Sequence, residues 1–235
     1  NLTNTLVTPT ALANGARNIT ATTPATAAQA LAIDAFTNNG VNSYSITDTA
    51  LEVARLAAVY LDPTHPNLYP SLAVGNGATN IVATTAANVQ QAAVITLLTN
   101  SGSKSYSLAD TAVNLLTYPD PVGTTSPGWL QRAANGAFNI TVRDIFGQTD
   151  TALTAADAAI IDGYTNTGTN SYGLTDTAAN LSAAVTSVLG SAFIIFVIGS
   201  SSVAQETDIL ARSPTAGHGA YTLSDTAAAL AGALP

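Results

Sequence analysis

The chain contains no cysteine and no methionine. Without cysteine it can form neither disulfides nor thiolate metal sites, which is compatible with an extracellular protein that does not depend on oxidative folding. Without methionine it has no initiator residue, so we expect a processed or excised part of a longer product.

Charge is also scarce, since charged residues make up 9% of the sequence, against about 25% in a typical soluble domain. The balance of 14 acidic and 6 basic residues gives a net charge of -8. Nucleic acid requires clustered Lys and Arg, which are absent here. The longest apolar run, "AFIIFVIG" at 192–199, is far shorter than the roughly 18 residues of a membrane span and predicts a strand. The sequence thus predicts neither nucleic-acid binding nor membrane insertion.

What the chain has in abundance is repetition. The phrase "SYSITDTALEV", which begins at Ser43, returns as "SYSLADTAVNL", "SYGLTDTAANL" and "AYTLSDTAAAL". Its Asp recurs at spacings of 62, 66 and 49 residues. A second phrase, "NGARNITATT", returns as "NGATNIVATT" and "NGAFNITVRD". A catalytic motif occurs once per site whereas a structural element occurs once per repeat, so we interpret both phrases as structural.

Each repeat reads as a short strand ("RNITA"), an Ala-rich helix, a turn ("TNNG", "TNSG" or "TNTG"), a second strand ("SYSIT") and a second helix that opens at "DTA". We predict one continuous array over residues 1–235. Its units lie near 1–13, 14–75, 76–134, 135–188 and 189–235, and the first and last are partial. Because both ends fall inside a repeat, we expect the chain to be an excerpt from a longer array.

Alternating strands and helices predict an α/β fold with parallel strands. If consecutive strands are neighbours, the result is an α/β solenoid with a sheet on one side and Ala-rich helices on the other. A single doubly wound parallel sheet is the alternative. The polar positions Ser43, Ser45, Ser105 and Ser107 argue against it, because strands buried on both faces are continuously apolar.

The repeated Asp of "DTA" falls at Asp48, Asp110, Asp176 and Asp225. Asp is favoured where a strand passes into a helix, because its carboxylate accepts hydrogen bonds from unpaired first-turn amides. We predict that these four residues are structural helix caps. The alternative hypothesis is that they bind calcium as a cofactor, but calcium needs six to eight oxygen ligands and each phrase offers one isolated Asp.

No catalytic motif is recognisable, and neither paired carboxylates nor a cofactor loop is evident, so we predict no enzymatic activity. Tyr69, Tyr118 and Trp129 lie in long Pro-rich segments and are predicted as a partner-binding loop set, with plugging of the core edge as the competing interpretation. The outward Ser and Thr residues of the strands form a further hypothetical surface, for glycan, ice or another cell.

The combination "NITATTPATAAQALAIDAFTNNG…SYSITDTALEV" resembles the Ala/Thr-rich "DTAANL" repeats of very large secreted bacterial surface proteins, including S-layer-like and hemolysin-type proteins. The resemblance implies an extracellular or cell-surface location, self-association, and type I secretion with calcium-binding repeats elsewhere in the parent chain. We therefore expect a structural segment of a coat, spacer or adhesin stalk, whose partners are neighbouring repeats, further copies of itself, or glycan.

Overall fold

The structure is a computed structural model that describes residues 8–57, 71–117, 128–143 and 153–233. These residues form two compact units, one up to Ser107 and one from Leu108 onward. Both units combine short helices with parallel strands. The α/β class and the parallel strand direction that the sequence predicts are confirmed.

The first unit contains α1 (Pro9–Gly15), β1 (Ile19–Thr20), α2 (Ala27–Asp34), β2 (Asn42–Ser43), β3 (Ile46–Asp48), α3 (Ala50–Arg55), α4 (Ser71–Gly77), β4 (Ile81–Ala83), α5 (Val89–Leu97) and β5 (Lys104–Ser105). Strand β1 pairs with β2, and β4 lies between β3 and β5. Each pair is parallel, with Ile46 opposite Ile81 and Ile81 opposite Lys104. Neighbouring strands therefore follow one another along the chain.

The second unit contains β6 (Leu108–Asp110), α6 (Ala112–Thr117), α7 (Trp129–Asn135), β7 (Ile140–Val142), α8 (Ala155–Asp162), β8 (Asn170–Thr177), α9 (Ala178–Ala183), α10 (Thr186–Ser191), β9 (Ala192–Ile198), β10 (Ser200–Ser201), α11 (Val203–Arg212), β11 (Gly217–His218), β12 (Thr222–Leu223) and α12 (Ala227–Gly232). Its main sheet has the order β11-β9-β8-β7-β6, and β10 pairs with β12. The apolar run "AFIIFVI" is strand β9, as predicted.

The strand of the repeated phrase has one buried and one polar face. Tyr44 and Ile46 are buried, whereas Ser43, Ser45 and Thr47 are partly exposed. Because successive side chains of a strand point to opposite faces, a single buried face requires this alternation. The core packs against the helices through small residues: Ala30, Ala92 and Ala158, at the same place in α2, α5 and α8, are all fully buried.

A helix that the sequence did not predict precedes the Asn-Gly phrase. Helix α4 ends with Asn76 and Gly77, and α7 ends at Asn135, directly before Gly136. These segments are predicted as loops because they are rich in Pro and Gly. Their last turns are helical because residues such as Val74 and Ala133 find buried positions against the rest of their unit.

Candidate functional site

The Asn-Gly phrase holds the following turn by a set of hydrogen bonds that occurs three times. The first Asn of each phrase accepts a hydrogen bond from the amide of the Thr that opens the turn, at 2.7–3.0 Å, in the pairs Asn14–Thr37, Asn76–Thr99 and Asn135–Thr165. The second Asn accepts from the amide after the turn glycine, at 2.9–3.0 Å, in the pairs Asn18–Val41, Asn80–Ser103 and Asn139–Thr169. We call this arrangement the Asn clamp.

The glycine of each clamped turn sits against backbone of the preceding phrase. A Cβ on Gly102 would lie 2.5 Å from the carbonyl oxygen of Thr79, and one on Gly168 would lie 2.4 Å from that of Phe138. Real Cβ atoms do not approach backbone oxygen so closely. Glycine is therefore required here by the close approach of two chain segments.

The "DTA" phrase caps two helices. Contrary to the prediction, its Asp does not cap the helix that follows. The cap of the helix that follows is the Thr: Thr49 and Thr177 each accept a hydrogen bond from the amide three residues later, in α3 and α9. The side chain of Asp48 instead accepts from the amide of Ala27, at 3.0 Å, at the start of the preceding helix α2. Its other oxygen accepts from the amide of Thr49 at 2.8 Å.

Asp176 and Asp225 make the same pair of contacts. Asp176 accepts from the amide of Ala155, the first residue of α8, at 3.1 Å. Asp225 accepts from the amide of Val203, the first residue of α11, at 3.0 Å. In these repeats the Asp thus joins the start of one helix to the strand that comes 21 or 22 residues later. The sequence missed this role because the partner amide is remote in the chain.

Asp110 and Asp176 also bind the Asn of "DTAxNL". The amide of the Asn114 side chain donates to Asp110 at 2.8 Å, and that of Asn180 donates to Asp176 at 2.7 Å. Asp176 is 6% exposed, so the side chain is almost entirely removed from water. Three N–H groups surround its carboxylate, which is the arrangement that stabilises a buried negative charge.

The calcium hypothesis needs several oxygen ligands at one point. Among the described residues no three His, Asp or Glu side chains gather where they could hold a metal ion. The side-chain oxygens of Asp48, Asp176 and Asp225 accept hydrogen bonds from backbone amides. This is the environment of a structural carboxylate.

Two buried tyrosines of the "SY" strands each bind a backbone carbonyl of a helix that follows in the chain. The hydroxyl of Tyr44 donates to the carbonyl of Val74 at 3.1 Å, and that of Tyr172 donates to the carbonyl of Val188 at 3.1 Å. Burial, with a further contribution from the Asp34 carboxylate, raises the pKa of Tyr44 to about 12. Burial also raises the pKa of Tyr106 and of Tyr172. These phenols are neutral structural donors at physiological pH.

One position in the strand carries a polar side chain that reaches the end of the preceding helix. Asn42 donates to the carbonyl of Ile33 at 2.9 Å, and Asn170 donates to that of Ile161 at 3.2 Å. Lys104 stands at the same position and binds the carbonyls of Thr96 and Leu98. Burial lowers the pKa of its amine, while the carbonyl end of α5 favours a cation.

The second unit contains a contact between a serine and a histidine. The Oγ of Ser213 lies 3.2 Å from the Nε2 of His218 and donates its own proton to the carbonyl of Ile209 at 2.6 Å. While the hydroxyl proton is donated to Ile209, the imidazole does not receive it. The geometry is that of a helix end tied to strand β11.

Glu206 is the least expected buried group of the second unit. It is the fourth residue of α11, the place that Ala30 occupies in α2, and it is 3% exposed. Neither of its carboxylate oxygens has a hydrogen-bond partner. A buried carboxylate without partners costs free energy, so this residue weakens its repeat.

Of the predicted partner-binding residues, Tyr69 and Tyr118 lie outside the described residues. Trp129 was predicted in a loop, and that placement is wrong: it is the first residue of α7 and is half-buried. The helix forms there because its own face packs into the unit, as Ala133 and Ala134 do.

The hypothetical hydroxyl surface is interrupted. On the sheet of the first unit, Val82 lies between Thr47 and Ser105 in adjacent strands. The side chain of Val82 is exposed, so an apolar residue breaks the row. A cleft of about 380 Å³ in the second unit is lined mostly by apolar residues such as Ala159 and Val188, with Asp176 and Asn180 as its polar members. These two polar side chains are hydrogen-bonded to each other.

Comparison with protein-family models, with curated proteins and with solved structures finds no match to this chain. None of the helices in the described ranges has the length and apolar character needed to cross a membrane.

Proposed function

We propose that this chain is a non-enzymatic structural segment of a large extracellular surface protein, in which it serves as a coat, spacer or stalk. The Asn clamp carries the proposal. It occurs three times, each time with Asn side-chain oxygens that accept from backbone amides of the neighbouring turn, and in two copies a hydroxyl of that turn adds a bond to the same Asn. A polar group that repeats with each structural unit stabilises the repeat itself, whereas a reactive site is formed once.

The proposal includes an α/β solenoid as the architecture of the repeats. Strands β3 to β5 and strands β6 to β9 pair in chain order and in parallel, which supports it, because a doubly wound sheet reverses its strand order at one point. In such a stack each repeat buries the apolar edge of the one before it, so stability comes from the neighbours. Few charges, no cysteine and the resemblance to secreted repeats support the extracellular setting.

Immunogold electron microscopy on the intact source cells tests the proposal, with antibodies raised against the 235-residue chain. We expect gold at the outer surface, in a continuous layer for a coat or at a fixed distance for a stalk. Pretreatment of intact cells with protease is the control and should remove the label. Gold confined to the cytoplasm, and unaffected by protease, would overturn the proposal.

A further inference from the structure

We infer that Asn39 is a site of spontaneous covalent modification, at which the side-chain amide is lost and the turn acquires a carboxylate. The reaction is the cyclisation of an Asn-Gly pair, and its only co-reactant is water. The chain contains four such pairs, at 14–15, 39–40, 76–77 and 135–136. The fold restrains three of them and leaves one free. This modification is independent of the proposed structural function, because it depends on a single turn.

The reaction joins the backbone nitrogen of the glycine to Cγ, the side-chain carbonyl carbon of the asparagine. That nitrogen loses its proton, the C–N bond of the side-chain amide breaks, and the amide leaves as ammonia. Water then opens the resulting five-membered imide at either of its two carbonyls. One opening gives aspartate, and the other gives iso-aspartate, in which the main chain runs through Cγ. Glycine favours the first step because it has no side chain to hinder the attack.

Three of the four pairs lie at the ends of helices, where the fold opposes this attack. Gly15 and Gly77 are the last residues of α1 and α4, and Gly136 directly follows α7. The Gly136 amide donates to the carbonyl of Arg132 at 2.9 Å. The asparagines of these pairs are the first members of the Asn clamp, and each side chain already accepts a hydrogen bond from a turn amide. Cyclisation there requires a helix end and a clamp to open first.

The fourth pair, Asn39 and Gly40, lies in the turn between α2 and β2 and has none of these restraints. Asn39 is exposed, and its side chain makes no hydrogen bond within the described ranges. The backbone amide of Gly40 likewise donates to no other described residue. Because Cγ is free to turn toward an unbonded amide, the imide can form here without any part of the fold opening.

The exposure of this position does not depend on where its turn lies in the chain. Ser101 and Thr167 occupy the same place in the two later turns, and both are exposed. The clamp leaves the position outside, because it holds the turn at Thr37 and Val41, on either side of Asn39. The later turns carry Ser-Gly and Thr-Gly, which have no side-chain amide to lose. Of the three clamped turns, the first therefore combines the accessible position with the reactive pair.

The iso-aspartyl product lengthens the main chain inside the clamp by one atom. That atom has no room on the side of Gly40, since a Cβ on this glycine would lie 1.7 Å from the carbonyl oxygen of Arg17. We expect the added length to pull the amide of Val41 away from Asn18, with which it forms a hydrogen bond of 3.0 Å. The aspartyl product leaves the main chain unchanged and keeps this bond.

Peptide mapping of the full chain after incubation at slightly alkaline pH tests the inference. Trypsin places each Asn-Gly pair in a peptide of its own, at 1–17, 18–55, 56–104 and 133–143. We expect peptide 18–55 to gain the mass of an NH2-to-OH exchange at least about tenfold faster than the other three, because their pairs must first lose hydrogen bonds. Fragmentation should place the gain at Asn39. In urea, where the fold no longer protects any pair, the four rates should become similar.

Asn39→Ser is the matched control, since serine occupies the same place in the second turn. It should abolish the gain in peptide 18–55 and leave the other three peptides unchanged. No gain in peptide 18–55 of the wild-type chain, or a gain that is equally fast in a helix-end peptide of the folded chain, would overturn the inference.

Amide hydrogen exchange measures the release of the clamp. The Val41 amide should exchange at least about tenfold faster in the iso-aspartyl chain than in the unmodified chain. Asn39→Asp adds the same charge without lengthening the main chain, so its Val41 amide should exchange at the unmodified rate. Unchanged exchange in the iso-aspartyl chain, or equally fast exchange in Asn39→Asp, would refute the release of the clamp by the added atom.

Discussion

The carboxylate of Asp176 allows the role of the "DTA" phrase to be measured. It accepts hydrogen bonds from the amides of Ala155 and Thr177 and from the side chain of Asn180, at 3.1, 2.8 and 2.7 Å. Asp176→Ala removes all three bonds at once and leaves three donors at a buried place. The same substitution at Asp225 removes two bonds at a half-exposed place.

The magnitude follows from the number of bonds and from water access. A hydrogen bond to a charged group contributes about 1.5–3 kcal/mol. Three such bonds set the upper limit, but the cleft beside Asp176 admits water that can solvate part of the freed donors. We therefore expect Asp176→Ala to lower the free energy of unfolding by about 3–5 kcal/mol. For Asp225→Ala we expect about 1 kcal/mol, the usual value of an exposed cap.

Urea denaturation followed by the fluorescence of Trp129, the one tryptophan of the chain, reports on the second unit directly. Asp176→Asn is an informative third variant, because it keeps the size of the side chain but points an N–H group at one of the three donors. We expect its loss to fall between those of the two Ala variants. Equal losses for Asp176→Ala and Asp225→Ala, or a loss below about 1 kcal/mol for Asp176→Ala, would refute the reasoning.

Three more predictions concern the stability of single repeats. Gly168→Ala should lower the free energy of unfolding by about 2 kcal/mol, because its Cβ meets the Phe138 carbonyl. Gly190→Ala should raise it slightly, because its Cβ meets nothing within 4 Å. Urea denaturation measures both changes. Glu206→Ala should raise the free energy of unfolding by about 1–3 kcal/mol, since it removes a buried carboxylate without partners; a loss would contradict this. Finally, Tyr44 loses its phenol proton near pH 10 in the unfolded chain but only near pH 12 in the folded chain, so the free energy of unfolding should fall as the pH rises between these values. Tyr44→Phe should reduce this fall by about 2 kcal/mol. Thermal melts across that pH range measure it.

Much of the fold could be predicted because repetition and alternation act locally. The strand of the phrase alternates buried and polar residues, and the second helix opens within "DTA", as predicted. The site chemistry was harder to predict. Asp and Thr are both good helix caps, and the sequence cannot show that Thr49 caps the next helix while Asp48 reaches back to Ala27, since tertiary contact decides between them.

The Asn clamp escaped sequence analysis for a related reason. The phrase was interpreted as the start of a strand, and its two Asn side chains bind amides 23 residues away in the first two repeats. A pattern search finds that Asn recurs but gives no partner. The available signal was that each Asn-Gly phrase is followed by the same kind of turn, 23 residues later in the first two repeats, because phrases that recur together are candidates for contact.

The spacing closed by the Asn clamp is 23 residues in the first two repeats and 30 in the third. The extra residues change neither the donors nor the acceptors of the clamp. Lengthening a closed loop by this amount costs only about 0.2 kcal/mol of chain entropy. The extra residues lie between β7 and α8, so we expect this segment to accept an inserted peptide without loss of the clamp. The same point could be used to display a binding module on the chain.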